Sequence, residues 1–414
     1  MDKDFFDIGM DIMDNIANIK EVCTGCENCA HICPVNAIKM RKMDHGFLYP
    51  VVNTEVCIAC GKCRLVCSHA REKETTEQEI PGEQTAYIVR SKDKSIWKES
   101  ASGGAFAMMA ASWLKESDRY VSGAAWSNER VEHIVSSDSS GIRKMQNSKY
   151  VQSLTGDVLF YIKKLASNGK WVLFSGTPCQ CASLCRILNE EERKYVLIID
   201  IICHGVPSME HLKTDISLYG GTERINNLVF RSKQKNFLTK SSFTMKIIHS
   251  KRTIQSVSYD RDPFFNLFMQ GKNFRSSCYE CRYANLNRVG DITIGDCDSH
   301  HHYKDFCQHT AVSTFIINSE FGRKIWNEKF KELFYYTQMD LELEQQHNHQ
   351  LMSPSKKPED YEDIMNDFDE LSVEELARKY ARPMDMKYRI MRILYVLLPD
   401  YVIHNLQNLM KRRV

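Results

Sequence analysis

Cysteines at fixed spacing carry the chemistry most plainly legible in this chain. Cys23-Thr-Gly-Cys26-Glu-Asn-Cys29-Ala-His-Ile-Cys33-Pro34 is followed by Cys57-Ile-Ala-Cys60-Gly-Lys-Cys63-Arg-Leu-Val-Cys67-Ser68, and both read C-x2-C-x2-C-x3-C. Three close thiolates fold around three corners of one iron-sulfur cube, and the fourth, beyond a short helical turn, reaches the other cube. This pairing assigns Cys23, Cys26, Cys29 and Cys67 to one 4Fe-4S cluster. Cys57, Cys60, Cys63 and Cys33 fall to the second. Zinc ribbons take their ligands as two separated pairs, and a disulfide framework has no reason to repeat a spacing. The repeat therefore selects clusters, and two so close together serve to pass single electrons.

The elements that must position these ligands belong to a chain of 414 residues, a length that suggests two or three domains. Hydrophobic residues make up 43%, enough for a substantial core, and a net charge of +2 gives no reason to expect nucleic acid. Met1 to Lys20 is acidic and lacks an apolar stretch behind basic residues, which argues against a secretory signal. No apolar run approaches the length of a membrane span. Sixteen cysteines in that context point to a reducing cytoplasm and metal ligation rather than disulfides.

A polar bridge from Arg71 to Gln84, containing Pro81-Gly82, marks the first boundary. Tyr87 to Arg90 reads as a strand, and Ser100-Ala-Ser102-Gly103-Gly104 opens a helical run from Ala105 to Leu114. A glycine pair at a helix start lets a phosphate approach backbone N–H groups, although an ordinary tight turn uses the same residues. Gly123 to Trp126 looks like the end of a strand. Met145 to Tyr150 is a polar loop leading to a helix near Gly156 to Ala166.

Trp171 to Phe174 is an apolar strand broken by Ser175-Gly176-Thr177-Pro178. Thr177 suits the N-cap and Pro178 the first helical position, which puts Cys179 in the first turn. The helix runs to about Leu188, and Tyr195 to Gly205 is a buried strand ending at Cys203. A strand-helix-strand unit of this length makes its strands parallel, so Cys179 and Cys203 share the sheet's carboxyl edge. Cys181 and Cys185 lie four apart on the helix and read as small core residues. A further C-x2-C, Cys278 and Cys281, precedes a strand from Asp291 to Asp296. On spacing alone it either joins Cys179 and Cys203 in a third metal site or sits in a loop of bystander thiols.

Taken in order, the motifs are Ser175-Gly-Thr-Pro-Cys179-Gln180, Asp200-x-x-Cys203-His-Gly-Val-Pro207-Ser208 and Phe230-Arg-Ser-Lys233. Phe274-Arg-x-x-Cys278-x-x-Cys281 and Asp291-Ile-Thr-Ile-Gly-Asp296 follow. The set resembles the family of coenzyme F420 hydrogenase/dehydrogenase beta subunits, here behind a two-cluster ferredoxin domain, over roughly residues 20 to 310. The resemblance implies an iron-sulfur flavoprotein carrying FAD beside a third 4Fe-4S cluster on Cys179, Cys203, Cys278 and Cys281. It also implies flavin contacts from Ser102, Gly103, Gly104, Lys149 and Tyr150, with Ser175, Gly176 and Thr177 joining them at the strand end. Relatives usually carry an aromatic residue after the Gly-Asp turn. This chain has Cys297, then Asp298, Ser299 and His300-His301-His302, with Cys307 beyond. That segment is expected to be a polar loop, the sharper alternatives being an altered substrate mouth or an additional metal site.

The expected architecture is an α+β ferredoxin-type domain over 1–75 and a larger α/β domain with a partly parallel sheet over 85–315. A helical extension over 320–414 completes it. In the extension Ser372-Val-Glu-Glu375 is a capping box. The apolar stretch Lys387 to Pro399, flanked by basic residues, suits its own domain, a partner chain or peripheral contact with an anionic membrane. The expected function is cytoplasmic electron transfer from a ferredoxin or other redox protein through three clusters to FAD and an organic acceptor. The alternatives are an F420-dependent oxidoreductase and an electron-transfer subunit without its own substrate. Anaerobically reconstituted protein should bind about twelve irons per chain, and saturation at about eight would remove the third site. Replacing Cys60 should remove a ferredoxin-type cluster, and replacing Cys278 only the third.

Overall fold

The computed structural model describes residues 15–70, 84–233, 243–249, 254–307 and 310–383, together with 386 and 390. Most of the expected linker, and the Lys387 to Pro399 stretch apart from Ile390, lie outside the described residues. No helix among the described residues is long and apolar enough to cross a membrane.

The N-terminal module is built around an antiparallel ribbon, β1 (Ile38–Lys42) and β2 (Leu48–Val52). Short helices at Asn28–Ile32 and Lys62–Leu65 follow the two cysteine loops. The sequence repeat is also a backbone repeat. Gly25 and Ala59 have φ of 69° and 50°, and Glu27 and Gly61 have φ of 64° and 69°. Left-handed residues on both sides of the second cysteine of each half turn the loop inward at a modest cost for Glu and Ala. At the first of these positions the first half has Gly25, where a Cβ would stand 2.6 Å from Gln152 Nε2, and the second half has Ala59.

The larger unit begins with β3 (Thr85–Ser91), β4 (Arg119–Ser127), β5 (Arg130–Ser136), β6 (Trp171–Gly176) and β7 (Val196–Ile201). A separate antiparallel sheet of β8 (Ile225–Val229), β9 (Thr244–His249) and β10 (Ile254–Ser258) follows. β11 (Ile292–Asp296), β12 (Ser313–Ile317) and β13 (Phe334–Gln338) return to the main sheet, whose order is β13-β3-β12-β11-β7-β6-β4-β5. β4, β6, β7 and β11 are parallel, and antiparallel strands flank them on both sides. The expected mixed sheet is therefore present. Both faces are covered, so the central strands β6 and β7 carry near-continuous apolar runs, Val172 to Phe174 and Val196 to Ile199. Leu173, Leu197 and Ile199 cluster with helix Ala105–Trp113, whereas Val172, Phe174 and Ile198 cluster with helix Val158–Ser167. β13 lies in the stretch expected to be helical. It pairs at the sheet edge through β3 and buries Phe334, which an edge strand of mostly exposed residues conceals from pattern reading.

The two cysteine-bearing units share a core. Phe47 and Tyr49 of the ferredoxin-type module cluster with Trp126, Met209, Phe230 and Tyr361 of the rest. Polar ties lock the same seam. His45 Nδ1 lies 2.9 Å from Asp369 Oδ2, and His211 Nε2 lies 3.5 Å from Asp369 Oδ1. Farther in, fully buried Asp200 of β7 accepts from Arg288 Nη2 at 3.0 Å and from the backbone N–H groups of Val289 and Gly290. This ion pair fixes the segment after Cys281 against the strand that leads to Cys203. Replacing Asp200 with Asn should leave Arg288 buried without a counter-charge and cost about 3–5 kcal/mol in chemical denaturation. A loss under about 1 kcal/mol would show that the pair does not hold this segment.

Candidate functional site

Cys33, Cys57, Cys60 and Cys63 all line one small cavity near the module surface, and Cys60 is exposed. Cys33 thus lies with the other half's three cysteines. Burial pushes the Cys67 thiol up to about 11, and neighbouring Cys26 and Cys23 push it further in the same direction. Burial raises Cys29 as well, with Cys26, Cys23 and Cys67 adding to it.

A further group of buried thiols comprises Cys179, Cys203, Cys278 and Cys281, each raised by burial. β6 and β7 pair in parallel register with Gly176 opposite Asp200, so Cys179 and Cys203 emerge side by side. Pro178 opens helix Pro178–Cys185, and the Gln180 side chain accepts from the Thr177 N–H at 3.0 Å. Burial drives the Cys179 thiol up to about 12, with Cys281, Cys278 and Cys26 contributing, and Cys203 is raised by burial and by the other three. Burial lifts Cys278 to about 12, while Arg275 acts in the opposite sense. Four buried thiols that oppose each other's ionisation stay protonated by themselves. A cationic iron core would reverse the balance, so the donor set fits a cluster. Cys181 instead is fully buried, its Sγ facing the Gly176 and Ile199 carbonyls.

One cavity of about 470 Å³ opens at the carboxyl edge of the parallel strands, within the size range of small-molecule sites. Cys179 and Cys203 line it, and so does Thr24 from the ferredoxin-type module. Of the eight residues expected to contact flavin, Ser102, Gly104, Lys149, Tyr150, Ser175, Gly176 and Thr177 line the same cavity. Gly104 is the N-cap of helix Ala105–Trp113 and offers no side chain to close the turn. Among the described residues, the N–H groups of Ala105, Phe106 and Ala107 find no acceptor. They form a ready anion site at the positive helix end. His133 is held neutral by burial, its pKa near 4, and donates from Nε2 to the Ser175 carbonyl at 3.2 Å.

Two expected contacts are placed differently. Gly103 does not line the cavity. Its N–H donates to Ser313 Oγ at 2.9 Å, and a Cβ there would stand 2.4 Å from the Val89 carbonyl. The glycine is needed for close approach to the sheet. Lys149 lines the cavity, but its ammonium donates to the Met145, Gln146 and Asn147 carbonyls at 3.0, 2.6 and 3.1 Å. It closes the end of helix Ser139–Met145, and burial lowers its pKa to about 7. Sequence reasoning did not single out Thr24 or His204 as cavity residues, whereas Asp298 falls in the segment weighed as an altered substrate mouth. Their loops meet only in the fold. Burial raises the Asp298 carboxyl to about 6, Glu344 adding to the effect. Cys297 and Cys307 are buried in one apolar cluster, whereas His301 and His302 are exposed.

Comparison with known proteins agrees with this arrangement. The C terminus of the coenzyme F420 hydrogenase/dehydrogenase beta subunit matches residues 169–340, and a 4Fe-4S dicluster domain matches residues 22–70. One of the subunits of the F(420)H(2) dehydrogenase from Methanosarcina mazei is 23% identical over 256 residues, covering 59% of this chain and 70% of that protein. An uncharacterized polyferredoxin-like protein from Methanocaldococcus jannaschii is 37% identical over 57 residues, 12% of this chain. An uncharacterized ferredoxin from the same organism is 47% identical over 47 residues, 11% of this chain. The chain spans only 34% and 28% of those two relatives. A chain of the F420-reducing NiFe hydrogenase complex from Methanosarcina barkeri aligns with a TM-score of 0.45 at 16% identity, over 64% of this chain and 89% of that one. With its dicluster match at 22–70 and its match at 169–340, the chain is similar to the F420 hydrogenase/dehydrogenase beta-subunit-like family, with an N-terminal iron-sulfur dicluster domain.

Proposed function

We propose that this chain is an iron-sulfur oxidoreductase of an F420-linked redox system, moving electrons between its ferredoxin-type module and a two-electron carrier in the large cavity. The observation that carries the reading is the shared lining of that cavity. Thr24 of the dicluster module, Cys179 and Cys203 of the third cysteine set, and the open helix turn at Gly104 all face one space. Three 4Fe-4S clusters and FAD are the cofactors this arrangement suits. A bound flavin would supply the exchange between single electrons and a hydride pair. The chain's own residues do the rest. The Ala105 to Ala107 amides would bind the pyrophosphate, and Asp298 holds its proton to about pH 6 at the cavity wall. Tyr150, stacked on Phe268 at 4.4 Å, keeps one wall aromatic and dry.

The likeness of residues 169–340 to F420-linked beta subunits favours F420 chemistry, with a redox partner protein, over an unrelated organic acceptor. Replacing Cys203 with Ala should lower iron by about four per chain and leave the dicluster module reducible by dithionite. Flavin reduction by a one-electron donor protein should slow about tenfold or more in rapid mixing, whereas flavin content stays level. Unchanged flavin reduction would mean that electrons bypass the third cysteine set. Failure of reduced F420 to bleach the wild-type clusters would send the F420 assignment back to the organic-acceptor reading.

A further inference from the structure

The segment after β11 holds a second constellation that the proposed electron path does not use. His301 and His302 lie in the turn His300–His302, and His347 ends helix Leu341–His347. One ligand atom from each lies within 4.8 Å of the other two. Their rings pack pairwise, with centroids 4.1, 4.8 and 4.9 Å apart. His302 Nε2 and His347 Nε2 stand 3.3 Å apart. A tetrahedral ion with metal–nitrogen bonds of ~2.0–2.1 Å separates its ligand nitrogens by roughly 3.3–3.4 Å. The pair therefore already spans one edge of such a tetrahedron.

Hydrogen bonding behind the rings and preorganisation point the same way. His347 Nδ1 lies 2.9 Å from the Leu343 carbonyl, which makes it the donor nitrogen and leaves Nε2 with its lone pair free. The two elements are tied together independently of any ion. Fully buried Glu344, on the same helix as His347, accepts from the Ser299 N–H at 3.0 Å, the Ser299 hydroxyl at 2.6 Å and the Asp298 N–H at 3.2 Å. Little reorganisation remains for an ion to impose. His300 differs from its neighbours, because its Nδ1 is engaged at 2.7 Å by the Cys297 carbonyl and it lies outside the three-ring group.

We propose that His301, His302 and His347 form a binding site for a borderline divalent cation of the zinc class, with its fourth position open to solvent. Three neutral imidazoles suit zinc, nickel, cobalt or copper ions and not the harder calcium or magnesium. Bound there, the ion would clamp the turn that follows Asp298, a cavity residue, to the helix behind it.

The test uses full-length protein without a polyhistidine tag, cluster-loaded under anaerobic conditions and titrated with zinc alone. One equivalent should bind, with a Zn K-edge shell of nitrogen and oxygen at ~2.0–2.1 Å and no sulfur at ~2.3 Å. His302→Ala and His347→Gln should each weaken binding about tenfold or more with iron content unchanged, while His300→Ala keeps wild-type affinity. Zinc should also raise the melting temperature of wild type and not of His347→Gln. A sulfur shell would place the zinc in a cysteine set and overturn the site. An equal loss in His300→Ala would reduce it to a nonspecific histidine run, and no stoichiometric binding would remove it.

Discussion

Arg275, only 1% exposed, is the contact on which the positions of the other parts depend. Its guanidinium donates from Nε to the Cys23 carbonyl at 2.6 Å, from Nη2 to the Leu48 carbonyl at 2.9 Å and from Nη1 to Gln152 Oε1 at 3.2 Å. It also lies 4.2 Å from the Tyr49 ring centroid. Three residues later the chain reaches Cys278, and Ser277 donates to the same Cys23 carbonyl at 3.0 Å. One buried cation thus holds the ferredoxin-type loop, the ribbon and the third cysteine loop in a common frame. Lysine could not replace it, because a single ammonium lacks the planar fork that reaches three acceptors at once.

A cost follows from that compactness. Drawing the first and third cysteine sets together buries thiols whose ionised forms repel one another, as Cys26 and Cys179 do across the seam. Arg275 beside Cys278, and Arg288 and Arg282 beside Cys281, offset part of this. A cationic group held by the thiolates would supply the larger compensation, and ligation and folding would then be coupled as in other small metal-holding modules. The same cations would favour a more reduced, more negative occupant of the third set.

The dicluster cysteine repeat and the parallel strand-helix-strand unit were legible because both rest on local spacing. Thr177 and Pro178 announce their helix start, and the apolar runs Val172 to Phe174 and Val196 to Ile199 mark strands covered on both faces. What stayed hidden depends on tertiary approach. Gly103 and Gly104 look alike in the sequence, yet one packs on β3 and β12 while the other opens the helix toward the cavity. Lys149 reads as a charge for an anionic ligand, but its ammonium donates to carbonyls at the end of the preceding helix. β13 carries too few buried residues to announce itself, and its place is set by pairing with β3.

The two halves of the cysteine repeat share their backbone turns but meet different surroundings, and that difference gives the proposed path a direction. In the first half, Thr155 donates to the Cys26 carbonyl at 2.9 Å and Asn28 to the Ser183 carbonyl at 2.8 Å, so this half is sealed against the larger unit. In the second half Cys60 is exposed, and Ile58 and Leu65 beside it are 60% and 52% exposed. Under the proposed assignment, the outer cluster lies where a redox protein could approach and the inner one where only the third set is near. Electron transfer through such a series needs no moving part. It needs the seam to stay closed, which is what a buried guanidinium, a shared aromatic core and the His45–Asp369–His211 contact provide together.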